Sequence, residues 1–208
     1  MKNISVLLFL LITLALNAQN NKTSGLNARQ FHKYWKVESE SPDYKVTFLG
    51  DTVEILSPKG LTLWRKEKMS GKVTIEYDAC VVVEVEGDRL SDLNCFWMAS
   101  DPEYPDNIWK REKWRSGIFL NCYSLQLYYM GYGGNHNSTT RFRRYDGNEA
   151  AITNAKARPA ILKEYTDADH LLEANKWYHI KITNENNRVS YYINGVRLVD
   201  FRDAAPLT

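Results

Sequence analysis

Residues 177–201 read WYHIKITNENNRVSYYINGVRLVDF, and their pattern indicates the fold class most clearly. From Trp177 to Thr183 apolar and polar side chains alternate, which is the period of a half-buried β-strand. Arg188 to Ile193 resumes a strand pattern, and Asn194-Gly195 predicts a type I′ hairpin because both residues accept positive φ. Val196 to Phe201 then forms the returning strand, so the end of the chain is antiparallel β-structure.

Short β-prone runs separated by turn residues continue this pattern upstream. They are Tyr34–Val37, Lys45–Leu49, Thr52–Leu56, Leu61–Glu67, Lys72–Val85 and Leu93–Ala99. Outside the first eighteen residues, no long stretch keeps the 3.6-residue period of an amphipathic helix. About ten to twelve short strands with such punctuation predict an all-β jelly-roll sandwich, in which two antiparallel sheets pack face to face.

The first eighteen residues have the pattern of a secretory signal peptide. Lys2 supplies the positive charge, Ile4–Leu16 the apolar segment, and Leu16-Asn17-Ala18 a cleavage site before Gln19. The apolar run is shorter than the roughly 20 residues that span a bilayer. We therefore predict a secreted or periplasmic protein with no membrane insertion after cleavage. Residues 19–30 are expected to be a flexible segment, and residues 31–208 a single domain.

The charge balance of the chain argues against a nucleic-acid partner. The full sequence has 27 basic and 25 acidic residues, and loss of Lys2 with the signal peptide leaves 26 against 25. Nucleic-acid binders generally need a basic surplus to neutralise phosphates. Any basic patch on this protein must therefore be local, which favours a small or polymeric anionic ligand.

Three cysteines, Cys80, Cys95 and Cys122, lie in apolar runs without the CxxC spacing of a zinc site. We interpret them as small buried apolar residues, which is how free cysteines usually behave. A bridge between Cys80 and Cys95 remains an alternative in an oxidising compartment.

The final hairpin, with its W-Y-x-I strand and Y-I-N-G turn, resembles the closing strands of the concanavalin A-like lectin/glucanase superfamily. The stretch LTLWRKEKMSGKVTIEYDA, with R-S-G-I-F and R-F-R-R, is similar to secreted jelly-roll domains of gut Bacteroidetes linked to polysaccharide utilisation. These are distantly similar to sugar hydrolases of the 3-keto-disaccharide hydrolase type. The resemblance covers Trp35–Phe201 and implies a carbohydrate-directed function. Such proteins place a further strand after a D-F-x-D-x-x-P-L segment, so it also implies that residues 31–208 lack the last strand of a sheet.

A polar and aromatic stretch, residues 114–145, reads WRSGIFLNCYSLQLYYMGYGGNHNSTTRFRRY. Its alternation predicts two neighbouring strands, Arg115–Tyr123 and Gln126–Tyr132, followed by a Gly-rich loop and a third strand whose Phe142 faces the core. One face would then present rings, amides and guanidinium groups, which bind sugars by stacking and by hydrogen bonds. The predicted substrate-binding residues are Trp114, Arg115, Asn121, Tyr123, Gln126, Tyr132 and Arg141.

Arginine on this face favours an acidic glycan, because a guanidinium pairs bidentately with a uronate carboxylate. A polysaccharide lyase would also need a base, and the predicted catalytic residues are His136, Tyr128 and Arg143. Glycosidases need two facing carboxyl groups, and the E-x-D-x-E strand of the β-glucanases resembled here does not occur. We therefore expect a glycoside hydrolase or polysaccharide lyase, with a non-catalytic glycan-binding module of the same fold as the alternative. For each residue, an ordinary role in pairing strands is a further alternative.

No metal site or other cofactor is predicted, and calcium is the alternative. Asp167 and Asp169 could join backbone carbonyls around a calcium ion, whereas His170 and His179 lack a zinc pattern. Asn137-Ser138-Thr139 matches a glycosylation acceptor, and the sequence does not indicate an oligomeric state.

Overall fold

The computed structural model describes residues 4–9 and 28–208, and side chains from Gln30 onward. The strands are β1 (Ile4–Phe9), β2 (Trp35–Ser39), β3 (Lys45–Leu49), β4 (Thr52–Ser57), β5 (Leu61–Arg65), β6 (Val73–Val82), β7 (Leu93–Ser100), β8 (Gln126–Gly133), β9 (Thr139–Asp146), β10 (Lys163–Tyr165), β11 (Trp177–Glu185), β12 (Arg188–Ile193) and β13 (Val196–Arg202). The helices are α1 (Ala28–Tyr34), α2 (Glu112–Arg115), the single turn α3 (Gly134–Asn137) and α4 (Ala150–Thr153).

The strands form two facing antiparallel sheets and a separate two-stranded sheet. The larger sheet has the order β13, β12, β11, β6, β1, β4, β3, and the smaller one the order β10, β9, β8, β7. Strands β2 and β5 pair with each other. This arrangement confirms the predicted all-β jelly-roll sandwich.

The closing strands form as their sequence predicts. Asn194 and Gly195 have φ of 50° and 81°, which is the left-handed conformation that a type I′ turn requires. They join β12 to β13, and a register shift between Tyr191 and Tyr192 marks a β-bulge in that pair. Strand β11 pairs on its other side with β6, so the hairpin extends the larger sheet.

The main core lies between the two sheets. The smaller sheet contributes Tyr128, Met130 and Phe142, and the larger sheet contributes Ile180 and Tyr191, each at most 1% exposed. Each fully buried large apolar side chain contributes about 1.5–3 kcal/mol to stability. These side chains therefore fix the distance and orientation of the two sheets.

A second apolar cluster covers part of the opposite, outward face of the smaller sheet. It contains Leu125, Leu127, Tyr129 and Tyr145, with Trp64 of β5 packed against them. Strand β8 is consequently buried on both faces, as its burial pattern from Leu127 to Gly133 shows. This second cluster provides the base of the candidate site.

The predicted strand Arg115–Tyr123 is wrong. Arg115 ends α2, and residues Phe119–Ser124 form a 3-10 helix. Ser116 and Gly117 between them have φ of 46° and 72°, which ends one helix and redirects the chain. A Cβ at Gly117 would lie 2.5 Å from the Glu38 carbonyl oxygen, so this close contact with β2 requires glycine.

The amino-terminal predictions fall mostly outside the described residues. The predicted signal peptide, residues 1–18, contains β1, which pairs with β4 on one side and β6 on the other. The predicted flexible segment lies outside the described residues up to residue 27, and its last residues begin α1. No helix among residues 4–9 and 28–208 is long and apolar enough to cross a membrane.

The three cysteines form no disulfide with one another. Cys80 and Cys122 are buried, as predicted, and Cys95 is partly buried. Burial raises the pKa of the Cys95 thiol to about 11 and that of Cys122 to about 12, which keeps both thiols neutral and poorly reactive near neutral pH.

Candidate functional site

The register of the smaller sheet places polar side chains in a row across four strands. Asn94 of β7 lies opposite Gly131 of β8, which lies opposite Arg141 of β9, which lies opposite Glu164 of β10. Directly opposed residues in antiparallel strands point to the same face. The row therefore crosses the outward face of the sheet, on the side away from the main core.

A second row runs beside the first. Phe96 of β7 lies opposite Tyr129 of β8, which lies opposite Arg143 of β9. We call the surface formed by Asn94, Phe96, Tyr129, Gly131, Arg141 and Arg143 the arginine cleft. It combines aromatic rings with two guanidinium groups on one sheet face.

Gly131 allows the Tyr129 side chain to lie along its own strand. A Cβ at Gly131 would be 2.1 Å from the Tyr129 hydroxyl oxygen. That hydroxyl donates to the Asn94 side-chain oxygen at 3.1 Å. Burial, followed by the nearby Asp92 charge, raises the pKa of Tyr129 above its ordinary value, while Arg143 and Arg141 act in the opposite direction. The Tyr129 hydroxyl therefore stays protonated and acts as a hydrogen-bond donor.

Aromatic side chains from other elements wall the arginine cleft. Trp64 of β5 stacks on Phe96 with ring centroids 5.9 Å apart, and Phe119 of the 3-10 helix meets Tyr129 edge-on at 5.5 Å. Tyr123 stacks on Tyr145 at 4.8 Å. Such offset and edge-to-face contacts are favourable and rigidify the surface, and Trp64, Tyr123, Tyr129 and Tyr145 are each at most 7% exposed.

A cavity of about 1300 Å³ opens over this surface. It is lined by the outward-facing Asn94 and Phe96 and by the inward-facing Cys95 and Trp97, so it also extends around the unpaired edge of β7. Small-molecule pockets typically occupy about 300–1,000 Å³. This cavity is therefore large enough for several sugar rings.

The lining of the cavity is basic, although the chain as a whole is nearly neutral. Eight Lys or Arg residues contribute to it against three acidic ones: Lys59, Arg65, Lys66, Lys68, Arg89, Arg141, Arg143 and Arg158, against Glu67, Asp92 and Asp106. Two of the acids are paired internally, in Arg65–Glu67 and Arg89–Asp92. Among residues 28–208, neither Arg143 nor Arg158 has a carboxylate within 4.0 Å. This surplus of basic residues forms a local basic patch, as expected for a chain whose overall charge is nearly neutral.

Five side chains of the lining carry a buried donor atom without a hydrogen-bond partner among the described residues: Trp64, Arg65, Arg89, Trp97 and Tyr145. The Trp64 indole nitrogen and the Tyr145 hydroxyl are both enclosed, on side chains that are 7% and 1% exposed. Buried polar groups are normally paired, and each unpaired one is costly. Both side chains line the cavity, although the unpaired atoms themselves are enclosed and not exposed in it.

Three of the predicted site residues are brought together. Arg141 and Arg143 lie on the outward face of β9, and Tyr123 lines the same cavity. The Arg158 guanidinium carbon lies 5.6 Å from the centroid of the Tyr123 ring. Arg143 also donates to the Pro159 carbonyl. The placement of the two arginines follows from Phe142, which faces the main core as predicted.

Two predicted tyrosines lie on the wrong face. Tyr128 and Tyr132 point between the sheets, at 0% and 2% exposure. The Tyr128 hydroxyl donates to Asp203 at 2.7 Å, and the Tyr132 hydroxyl donates to the Leu171 carbonyl at 3.1 Å. The face of β8 that carries Tyr128 and Tyr132 was predicted to bind sugar, but it faces the main core. Tyr129, on the opposite face of the strand, lies in the cleft.

Arg115 is buried rather than part of the cleft. It is fully enclosed and pairs with both carboxylate oxygens of Glu38, at 3.2 and 2.7 Å. Asp101 lies 4.0 Å from its guanidinium, which also lies over the Trp64 ring at 5.8 Å. Arg115 therefore has a structural role, because its removal would leave the Glu38 carboxylate buried and unpaired.

The other predicted binding residues also lie outside the arginine cleft. Trp114 is 43% exposed on α2, with the Arg111 guanidinium over its ring. The Asn121 amide donates to the Trp114 carbonyl at 2.9 Å, and Gln126 lies at the start of β8 opposite Asp146. None of these side chains lines the cavity.

The structure does not bring His136 into the cleft. It is exposed, with φ of 57°, in a left-handed turn. The adjoining Asn137 fixes this turn by bonding both the amide and the carbonyl of Leu172 at 2.8 Å. The acceptor asparagine of the glycosylation pattern is thus engaged in structural contacts.

Among the described residues, no three His, Cys, Asp or Glu side chains converge as metal ligands. Asp167 pairs instead with His170 at 2.6 Å. His179 contacts Asp78 at 2.9 Å.

The sequence did not identify five side chains that shape the site: Tyr129, Phe96, Asn94, Trp64 and Arg158. Phe96 and Asn94 alternate with core residues in LNCFWMA, and Trp64 alternates in LTLWR, so a period-2 reading of these strands could have found them. Arg158 lies in a segment without periodicity and offers no such signal.

The chain belongs to the family described as Domain of unknown function (DUF6250), whose model matches residues 55–208. A search of curated proteins finds no match. Among solved structures, the chain is similar to carbohydrate binding module CBM66 from Bacillus subtilis, with TM-score 0.50, 14% identity, and coverage of 83% of this chain and 81% of that one. It is also similar to a protein of unknown function with galectin-like fold from Bacillus subtilis, with TM-score 0.52, 12% identity, and coverage of 87% and 79%. At these identities the likeness establishes the fold alone.

Proposed function

We propose that this member of the DUF6250 family binds an acidic glycan in the arginine cleft. The observation that carries the proposal is the basic lining, eight cationic against three anionic residues, beside a floor of aromatic rings. Rings stack on the apolar faces of sugars, and guanidinium groups pair with uronate carboxylates. The likeness to a carbohydrate-binding module supports a glycan as the ligand.

Binding without turnover is the form of this function that the geometry favours. The lyase constellation drawn from the sequence does not assemble, since Tyr128 faces the core and His136 is outside the cavity lining. The raised pKa of Tyr129 makes its hydroxyl a donor rather than a base. Two of the three lining carboxylates are held in ion pairs with neighbouring arginines.

Arg143 is the most informative residue for a test. It projects from the middle of the cleft, opposite Tyr129, and has no carboxylate partner among the described residues. Charge-assisted hydrogen bonds contribute about 1.5–3 kcal/mol, so Arg143→Gln should weaken binding of tetragalacturonate by roughly ten- to hundredfold. Isothermal titration calorimetry would measure this loss.

The matched controls are one ligand and one variant. Fully methyl-esterified tetragalacturonide has the same rings without the charges, and we expect it to bind more weakly and to be insensitive to Arg143→Gln. Arg197→Gln removes an equal charge from the exposed end of β13 and should bind as the wild type does. Equal affinity for the acid and the ester, or unchanged affinity in Arg143→Gln, would contradict the proposal.

A further inference from the structure

We propose that Glu164 is a built-in competitor for the ligand's anionic group at Arg141, and that it limits the preference of the cleft for acidic over neutral glycans. The inference rests on the proposed function and adds to it a residue that sets specificity. Glu164 ends the polar row of Asn94, Gly131 and Arg141 across the sheet.

The contact between the two residues is a single charge-assisted hydrogen bond. The Arg141 Nε donates to Glu164 Oε1 at 2.5 Å, on side chains that are 33% and 37% exposed. Exposed pairs of this kind are weak, because water screens them and long side chains lose freedom. A ligand carboxylate with better geometry can therefore replace Glu164.

Most of the Arg141 guanidinium is open to such a ligand. Its Nη groups have no partner among the described residues, whereas a guanidinium can donate five hydrogen bonds in a planar fork. A carboxylate that binds these nitrogens while Glu164 stays in place lies close to a second negative charge. In either arrangement, the charge of Glu164 opposes the anion.

Arg143 shows what the cleft is like without such a competitor. It lies two residues along the same strand and on the same face, and its guanidinium donates to the neutral Pro159 carbonyl. The two arginines therefore present unequal subsites, one with an internal carboxylate and one without. Neutralising Glu164 would make them similar.

Strand β10 does not depend on Glu164 for its position. The Tyr165 hydroxyl donates to the Leu198 carbonyl at 2.7 Å, and the Leu162 amide donates to the Phe142 carbonyl at 3.0 Å. The backbone of β10 also pairs with β9 over three residues. A variant at Glu164 should consequently keep the fold of the cleft.

The test is calorimetric titration of the full chain and of Glu164→Gln with tetragalacturonate and its methyl ester. We expect the variant to bind the acid roughly two- to fivefold more tightly, the size of a surface ion pair, and to bind the ester as the wild type does. Glu164→Asp, which keeps the charge, should show no gain. Glu185→Gln removes an exposed carboxylate from the larger sheet and controls for net charge.

Unchanged or weaker binding of the acid by Glu164→Gln would overturn the inference, since Glu164 would then orient Arg141 rather than compete. If the wild type binds the acid through Arg143 and this gain is absent, only the inference fails. If the wild type binds neither ligand, the proposed function fails as well.

Discussion

Tyr128 and Tyr129 are neighbours in the sequence and face opposite sides of the same strand. Tyr128 is buried between the sheets against Asp203, and Tyr129 lies in the arginine cleft with its hydroxyl on Asn94. The sequence could predict that the two side chains point apart. It could not show which side faces the core, because both faces of β8 are covered. The outward position of Arg141 and Arg143 was predictable from the sequence, since a strand rarely places arginine towards a core.

Tyr128→Phe tests whether the Tyr128 hydroxyl stabilises the fold or binds the glycan. The Tyr128 hydroxyl donates to Asp203 and accepts from the Leu207 amide at 3.2 Å, so its loss should lower the free energy of unfolding by about 1–3 kcal/mol. Glycan affinity should not change. Urea unfolding and titration calorimetry measure the two quantities.

Tyr44→Phe serves as the control, because Tyr44 is 37% exposed and surface changes usually stay within about 0.5 kcal/mol. A Tyr128→Phe variant of wild-type stability with impaired glycan binding would instead place Tyr128 in the site.

At the scale of elements, the largest departure from the sequence prediction is the 3-10 helix Phe119–Ser124. Across Arg115–Tyr123, Ile118, Leu120 and Cys122 would share one face of a strand, and this local pattern could not reveal the constraint that overrides it. That constraint is tertiary: Arg115 must reach Glu38, and Gly117 must lie against the backbone of β2. The β11–β13 hairpins, in contrast, depend on local turn chemistry and were predictable.

Gly117→Ala tests this constraint. Alanine would have to keep the positive φ of this position, and its methyl group would clash with the Glu38 carbonyl oxygen. We therefore expect the free energy of unfolding to fall by more than about 2 kcal/mol. Chemical denaturation measures the change.

Gly71 provides the comparison, because its φ is +75° and a Cβ there meets nothing within 4 Å. Gly71→Ala should therefore show only the left-handed penalty of about 1–2 kcal/mol. Equal losses in the two variants would mean that the packing of residues 115–117 against β2 is not the constraint.

For the whole molecule, the sandwich and its strand order place the arginine cleft on the outward face of the smaller sheet. Period-2 patterns and turn residues were sufficient to predict the two-sheet fold, whereas the shape of the cavity depends on contacts between β5, β7 and β9 that are distant in sequence. Cleavage after Ala18, which the sequence predicts, would remove β1 from between β4 and β6. Those two strands would then present unpaired backbone groups to one another.

A crystal structure of the protein with bound tetragalacturonate tests the proposed binding site most directly. We predict that the sugar rings lie over Phe96 and Tyr129 and that a carboxylate contacts Arg143, on the outward face of the smaller sheet. A glycan bound on the larger sheet, or in the cleft without any arginine contact, would contradict the account.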